Sequence, residues 1–154
     1  MGIAAVALGL ARAAIDELVE VAGGKTPSGS ARPLAARAAT QAEVSRAEAT
    51  IRSARAFYYE TIETAWQAAC KEGFIQTEQR RDIRLATTFA THACADAVDR
   101  MYNLGGGTSV YRRSPLQRIF RDVHVATQHM MVSPATLELT GRLFLGLETD
   151  VAML

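Results

Sequence analysis

Apolar residues recur every three or four positions along most of the chain, and no strand-like alternation competes with that period. The spacing predicts a first amphipathic helix from about residue 2 to 22, with Ile3, Val6, Leu10, Leu18 and Val21 on one stripe. Gly23-Gly24 is a helix-stop signal, and the Gly-, Ser- and Pro-rich stretch from Lys25 to Pro33 reads as a mobile connection. Thr40-Gln41-Ala42-Glu43 has the form of a capping box, so a second helix should follow it to about Lys71. That helix would bury Val44, Ile51, Tyr58, Ile62 and Trp66 and leave Arg46, Arg52, Glu60 and Glu63 in solvent. Glu72-Gly73 closes it, and Thr77 is placed to cap a third helix whose Ile83, Ala86, Ala90, Ala93, Ala97, Met101 and Leu104 keep the period. Gly105-Gly106-Gly107 ends that element abruptly. Ser114-Pro115-Leu116-Gln117 reads as another capping box, with proline at the first helical position, and Leu116, Ile119, Phe120 and Val123 mark a fourth helix. A shorter fifth runs from Ser133-Pro134 to about Leu147. The pattern predicts an all-α fold: an antiparallel four-helix bundle with an additional C-terminal helix, residues 1–154 forming one domain.

Composition narrows the class without naming a chemistry. Hydrophobic residues make up 49% and charged residues 21% of the 154, which excludes a disordered tail. Seventeen basic against 16 acidic residues leave a net charge of +1, so bulk attraction to nucleic acid or an anionic membrane is not expected. Abundant alanine with 6% aromatics favours closely packed helices. The apolar opening has no positive charge before it, and Arg12, Asp16, Glu17 and Glu20 follow at helical intervals, unlike a secretory signal or a membrane span. A cytoplasmic chain is expected, with Cys70 and Cys94 as reduced, buried thiols. A domain seldom begins at the first residue of a long amphipathic helix, so further residues ahead of Met1 are expected in the complete protein.

The candidate chemistry is sparse. A di-iron bundle needs Glu-x-x-His pairs, and none of His92, His124 and His129 has a glutamate three residues before it. His124 and His129, five apart, would point about 140° from each other on a helix, so no protein metal site is expected. The three glycines could cradle a phosphate, but they follow a helix instead of a strand, and a helix C-cap is the plainer reading. Arg112, Arg113, Arg118 and Arg121 could meet an anion, form a solvated face, or pair across helices as Arg121–Asp122. His129, near the end of the fourth helix, could be tuned for proton transfer or could be structural.

The segment LGGGTSVYRRSPLQRIFRDVHVATQH, with its glycine-rich helix end, Ser-Pro capped helix and Arg121-Asp122, resembles the carboxyl-terminal helical domain of the acyl-CoA dehydrogenase superfamily. Residues Tyr111 to His129 are most similar to its branch of two-component flavin monooxygenases, which hydroxylate phenols and related compounds. Many dehydrogenases carry a catalytic glutamate eight residues after the aspartate of Arg-Asp; that position is Met130, which has no basic group, and their Tyr-Glu-Gly-Thr motif is replaced by His129-Met130-Met131-Val132. The Arg-x-x-Phe-Gly motif that grips FAD in dehydrogenases is missing between residues 23 and 39. The resemblance implies a monooxygenase in which a separate reductase supplies reduced FMN or FAD and a flavin C4a-hydroperoxide does the hydroxylation. It implies His129 as the residue facing flavin and substrate, with His124 second, and Gly105 and Gly106 reaching the flavin of a neighbouring subunit in a homo-oligomer, a dimer or tetramer. Tyr102 replaces a glutamine of the dehydrogenases, which argues against a flavin contact there. An acyl-CoA dehydrogenase with a displaced base, or a non-catalytic oligomerisation module, are the alternatives. The family's amino-terminal helical and β domains, which supply most of the flavin cleft, have no counterpart in these 154 residues.

Overall fold

The computed structural model describes residues 2–154, and all its regular elements are helical among them. Helix α1 spans Gly2–Gly24, α2 Ala38–Glu72, α3 Thr77–Gly105, α4 Pro115–Thr127 and α5 Pro134–Phe144, with 3₁₀ turns at Leu34–Ala36, Gly106–Thr108 and Met130–Val132. Helix α3 is central: α1, α2, α4 and α5 all pack against it. Cross-contacts fix the directions. Arg12 meets Glu48 while Ala5 faces Tyr59, so α1 and α2 run antiparallel. Glu43 meets Arg100 and Phe57 meets Phe89, so α2 and α3 do too. Asp99 meets His124 and Gly105 lies against Leu116, which makes α3 and α4 antiparallel as well. This is the expected bundle with a fifth helix laid on α3.

The core is built largely from alanine. On α1 the covered stripe is Ala4, Ala7, Ala11, Ala14, Ile15, Leu18 and Ala22, whereas Val6 is 60% exposed. Small side chains on α1 and α3 pack together: Ala4 clusters with Ala90 and Ala93, and Ala7, Ala11 and Ala14 with Ala97 and Met101, while Ala86 is buried too, as the α3 spacing predicts. Of the stripe predicted on α1, only Leu18 is fully buried. The helix is apolar on both sides, so the period alone picks no face.

Several boundaries differ from expectation. Helix α2 begins at Ala38 behind a 3₁₀ turn, with Arg37 as its cap, so Thr40 is a buried residue of the first turn and caps nothing. Glu43 is drawn instead to Arg46 and Arg100. Trp66 is exposed, at the rim of an apolar cleft that it lines with Ile62, Ala65 and Ala69 of α2 and Ile83 of α3. Gln76, not Thr77, caps α3: its side chain and that of Gln79 form the capping box, and its backbone N–H donates to Gln79 Oε1 at 2.6 Å. Ser114 occupies the cap of α4 without a side-chain hydrogen bond, while Pro115 takes the first helical position as expected. Helix α5 stops at Phe144, before Gly146 at φ +68°. Cys94 is buried but Cys70 is exposed.

Candidate active site

The glycine run forms a corner instead of a loop. Gly105 is the last residue of α3 and is buried, while Gly106 turns the chain at φ +55° and is exposed. Lys25, arriving from the end of α1, donates from Nζ to the Gly105 carbonyl and, at 2.7 Å, to Thr108 Oγ1. An open cleft of about 520 Å³ lies there, lined by Lys25, Arg37, Asn103, Gly106, Thr108 and Tyr111 among others. Two cations beside bare glycine backbone could hold a phosphate-bearing group. Gly106 is thus both a C-cap, as its local sequence suggests, and an open surface; Gly105 is packed inside.

His124 lies on α4 with its Nε2 2.8 Å from Asp99 Oδ1 on α3. Its ring meets the edge of Phe120, 4.6 Å between centroids, and Phe120 stacks on Tyr102 at 4.3 Å. The imidazole therefore belongs to the α3–α4 contact, and Tyr102 faces an aromatic ring.

His129 follows α4 by two residues and caps the Met130–Val132 turn. Its backbone N–H donates to Ala126 and its exposed ring accepts the Met131 N–H at Nδ1, 3.2 Å away. It makes no hydrogen bond or ring contact with His124. Helix α4, 13 residues long, separates His129 from the glycine corner by about 20 Å.

Asp99 and Arg84 carry no motif in the sequence, and His92 enters there only as a candidate metal ligand; in the structure Arg84 and His92 bind the turn beside His129. The one signal of Arg84 and His92 is their place, with Thr88, in a four-residue polar spacing on an alanine-rich helix. Arg121 pairs with its neighbour Asp122 on the surface of α4 at 3.0 Å, so no interhelical pair forms. No group of three or more His, Cys, Asp or Glu suited to a metal occurs among the described residues. No helix among them is long and apolar enough to cross a membrane.

The chain is 39% identical over 141 residues to an indole-3-acetate monooxygenase of Pseudomonas putida, covering 92% of this chain and 36% of that protein. It is 34% identical over 143 residues to an indole-3-acetate monooxygenase of Acinetobacter baumannii, covering 93% and 37%. The structure of XiaF from Streptomyces sp., in complex with FADH2 and glycerol, superposes with a TM-score of 0.90 at 25% identity over 99% of this chain and 39% of that one. The chain thus spans little more than a third of the relatives it matches. Residues 1–134 match the family "Acyl-CoA dehydrogenase, C-terminal domain", and the chain belongs to that family.

Proposed function

We propose that this chain serves as the carboxyl-terminal helical part of a flavin-dependent monooxygenase that hydroxylates an aromatic, phenolic substrate. What carries this reading is the 39% identity with a monooxygenase over 92% of the chain. The chemistry of the turn supports it: where many dehydrogenases carry a carboxylate there is Met130, 63% exposed, and beside it stands an exposed imidazole.

Reduced flavin, FMN or FAD from a separate reductase, supplies the electrons that activate oxygen when it is bound. His129 then orients or deprotonates the phenolic hydroxyl, which makes the ring more nucleophilic. His124 is a weaker candidate because Asp99 engages its Nε2. Gly106 lets a flavin lie against backbone, with Lys25 and Arg37 offering positive charge. The span of α4 suits two ends that serve flavins of different subunits in a homo-oligomer, a dimer or tetramer. The rest of the cleft would come from segments beyond these 154 residues, on the same polypeptide or a partner, in a cytoplasmic assembly.

The test is His129→Ala in the flavin-loaded assembly. Hydroxylation should fall by about a hundredfold with flavin binding intact, whereas His124→Ala should keep turnover. Unchanged hydroxylation in His129→Ala would remove that residue from the mechanism. Oxidation of an acyl-CoA thioester by the same assembly would favour the dehydrogenase instead.

A further inference from the structure

Arg84, Thr88 and His92 stand at four-residue intervals on one face of α3, and all three reach the chain beyond α4. Arg84 donates from Nη1 to the Met131 carbonyl at 3.1 Å. The hydroxyls of Thr88 and Thr136 lie 2.7 Å apart, both buried. His92 Nε2 lies 2.8 Å from the Val132 carbonyl, and since a carbonyl only accepts, His92 carries its proton on Nε2. Arg84 is only 9% exposed, and its other arm donates to the Met153 carbonyl at 2.8 Å, so the guanidinium bridges the turn and the C-terminal residues. Within the turn, the Val132 N–H donates back to the His129 carbonyl at 2.9 Å. Two carbonyls of a three-residue turn are thus held from α3.

The held turn also fixes the ring. A nitrogen that accepts the Met131 N–H has its lone pair free and bears no proton, so the proton of His129 sits on Nε2. Nε2 is engaged by no described residue.

We propose that Arg84 and His92 are positioning residues for His129, and that the imidazole they hold acts through its Nε2–H as a hydrogen-bond donor to the substrate oxygen, not as a base. This rests on the reading of His129 as the residue that faces substrate. A proton taken up by this ring would have to enter at Nδ1, displacing the Met131 N–H. A donor at Nε2 instead stabilises a substrate held as its phenolate, the phenolic proton having passed to water, and no proton moves to or from the ring.

The experiment is two-bond ¹H–¹⁵N spectroscopy of the 154-residue chain labelled at histidine nitrogen, at about pH 8, where imidazole is ordinarily neutral. His129→Gln identifies the resonances. His129 should show the Nε2–H form. In His92→Ala it should become a mixture of both forms, and in His92→Gln, which keeps an N–H near the Val132 carbonyl, it should return, with helical circular dichroism unchanged. An Nδ1–H form in the wild-type chain would overturn the donor role. An unchanged His129 in both His92→Ala and Arg84→Met would overturn the positioning role. In the flavin-loaded assembly, H129Q, a donor without basicity, should stay within about tenfold of wild type while H129A drops about a hundredfold. Equal loss in the two variants overturns the donor role; no loss in either removes the reading beneath it.

Discussion

A β-carbon at Gly105 would stand 2.1 Å from the Ser109 hydroxyl oxygen and 3.0 Å from a methyl of Leu116. That hydroxyl is not free to leave, because it donates to the Tyr102 carbonyl at 2.9 Å and Ser109 is fully buried. Gly105 is therefore needed for close approach where the end of α3 meets the start of α4. Gly105→Ala should lose about 1–3 kcal/mol in urea unfolding, more than the gain from replacing a helical glycine. Adding Ser109→Ala removes the nearer clash, so the double variant should cost less than the two singles together. Strictly additive costs would show that the hydroxyl is not what excludes a side chain.

Glu48 lies between Arg12 and Arg52, with Arg12 Nη1 2.6 Å from Oε1. The hydrogen bond from Arg12 is the main reason its carboxyl titrates below the ordinary 4.5, with the charges of Arg12 and Arg52 adding to it against partial burial. A depressed carboxyl contributes stability that is present above the ordinary value and is lost as pH falls through the folded one. Both partners are substantially exposed, so the contribution is small. Glu48→Gln should cost less than about 1 kcal/mol at neutral pH, and the gap should close below 4.5. A gap that persists in acid would mean the glutamine disturbs packing.

Cys94 has no exposed surface, and burial pushes its thiol up to about 12. The thiolate is the reactive form, so Cys94 should be inert in the folded chain while exposed Cys70 reacts. A colorimetric thiol assay should count one group per native chain and two in denaturant. Two fast-reacting thiols in the native chain would show that the α1–α3–α4 core opens readily.

The helices were legible because a 3.6-residue period and glycine or proline punctuation are local properties. The burial of Ala97 and Met101, the exit at Gly105 and the start at Pro115 followed from them. The covered face of α1 was not legible, since Val6 and Ala7 are both apolar and only the helices docked on α1 decide between them. Trp66 shares the apolar period of α2 with Ile62, yet it lies at the rim of the α2–α3 contact, a position that only the docked helices set. His129 came from a resemblance carried by neighbouring residues, whereas the pairing of Asp99 with His124 joins two helices 25 positions apart. Arg84, Thr88 and His92 showed their spacing, but their partners are backbone carbonyls and a threonine in irregular chain, which no periodicity marks.

Flavin binding by the 154-residue chain should be weak. The glycine corner offers Lys25, Arg37 and bare backbone at an open cleft, and Lys25 is already engaged by the Gly105 carbonyl and Thr108. His129 lies the length of α4 away, about 20 Å, so one chain cannot bring both groups to the same ring system. An exposed cation contributes little to anion affinity at physiological salt. Titration of the purified chain with FMN or FAD, followed by flavin fluorescence, should show no stoichiometric saturation at micromolar concentrations. Lys25→Ala should leave that titration unchanged, yet should weaken flavin retention in the proposed flavin-loaded assembly. Tight one-to-one binding by the isolated chain would show that the glycine corner and its two cations suffice without a second subunit.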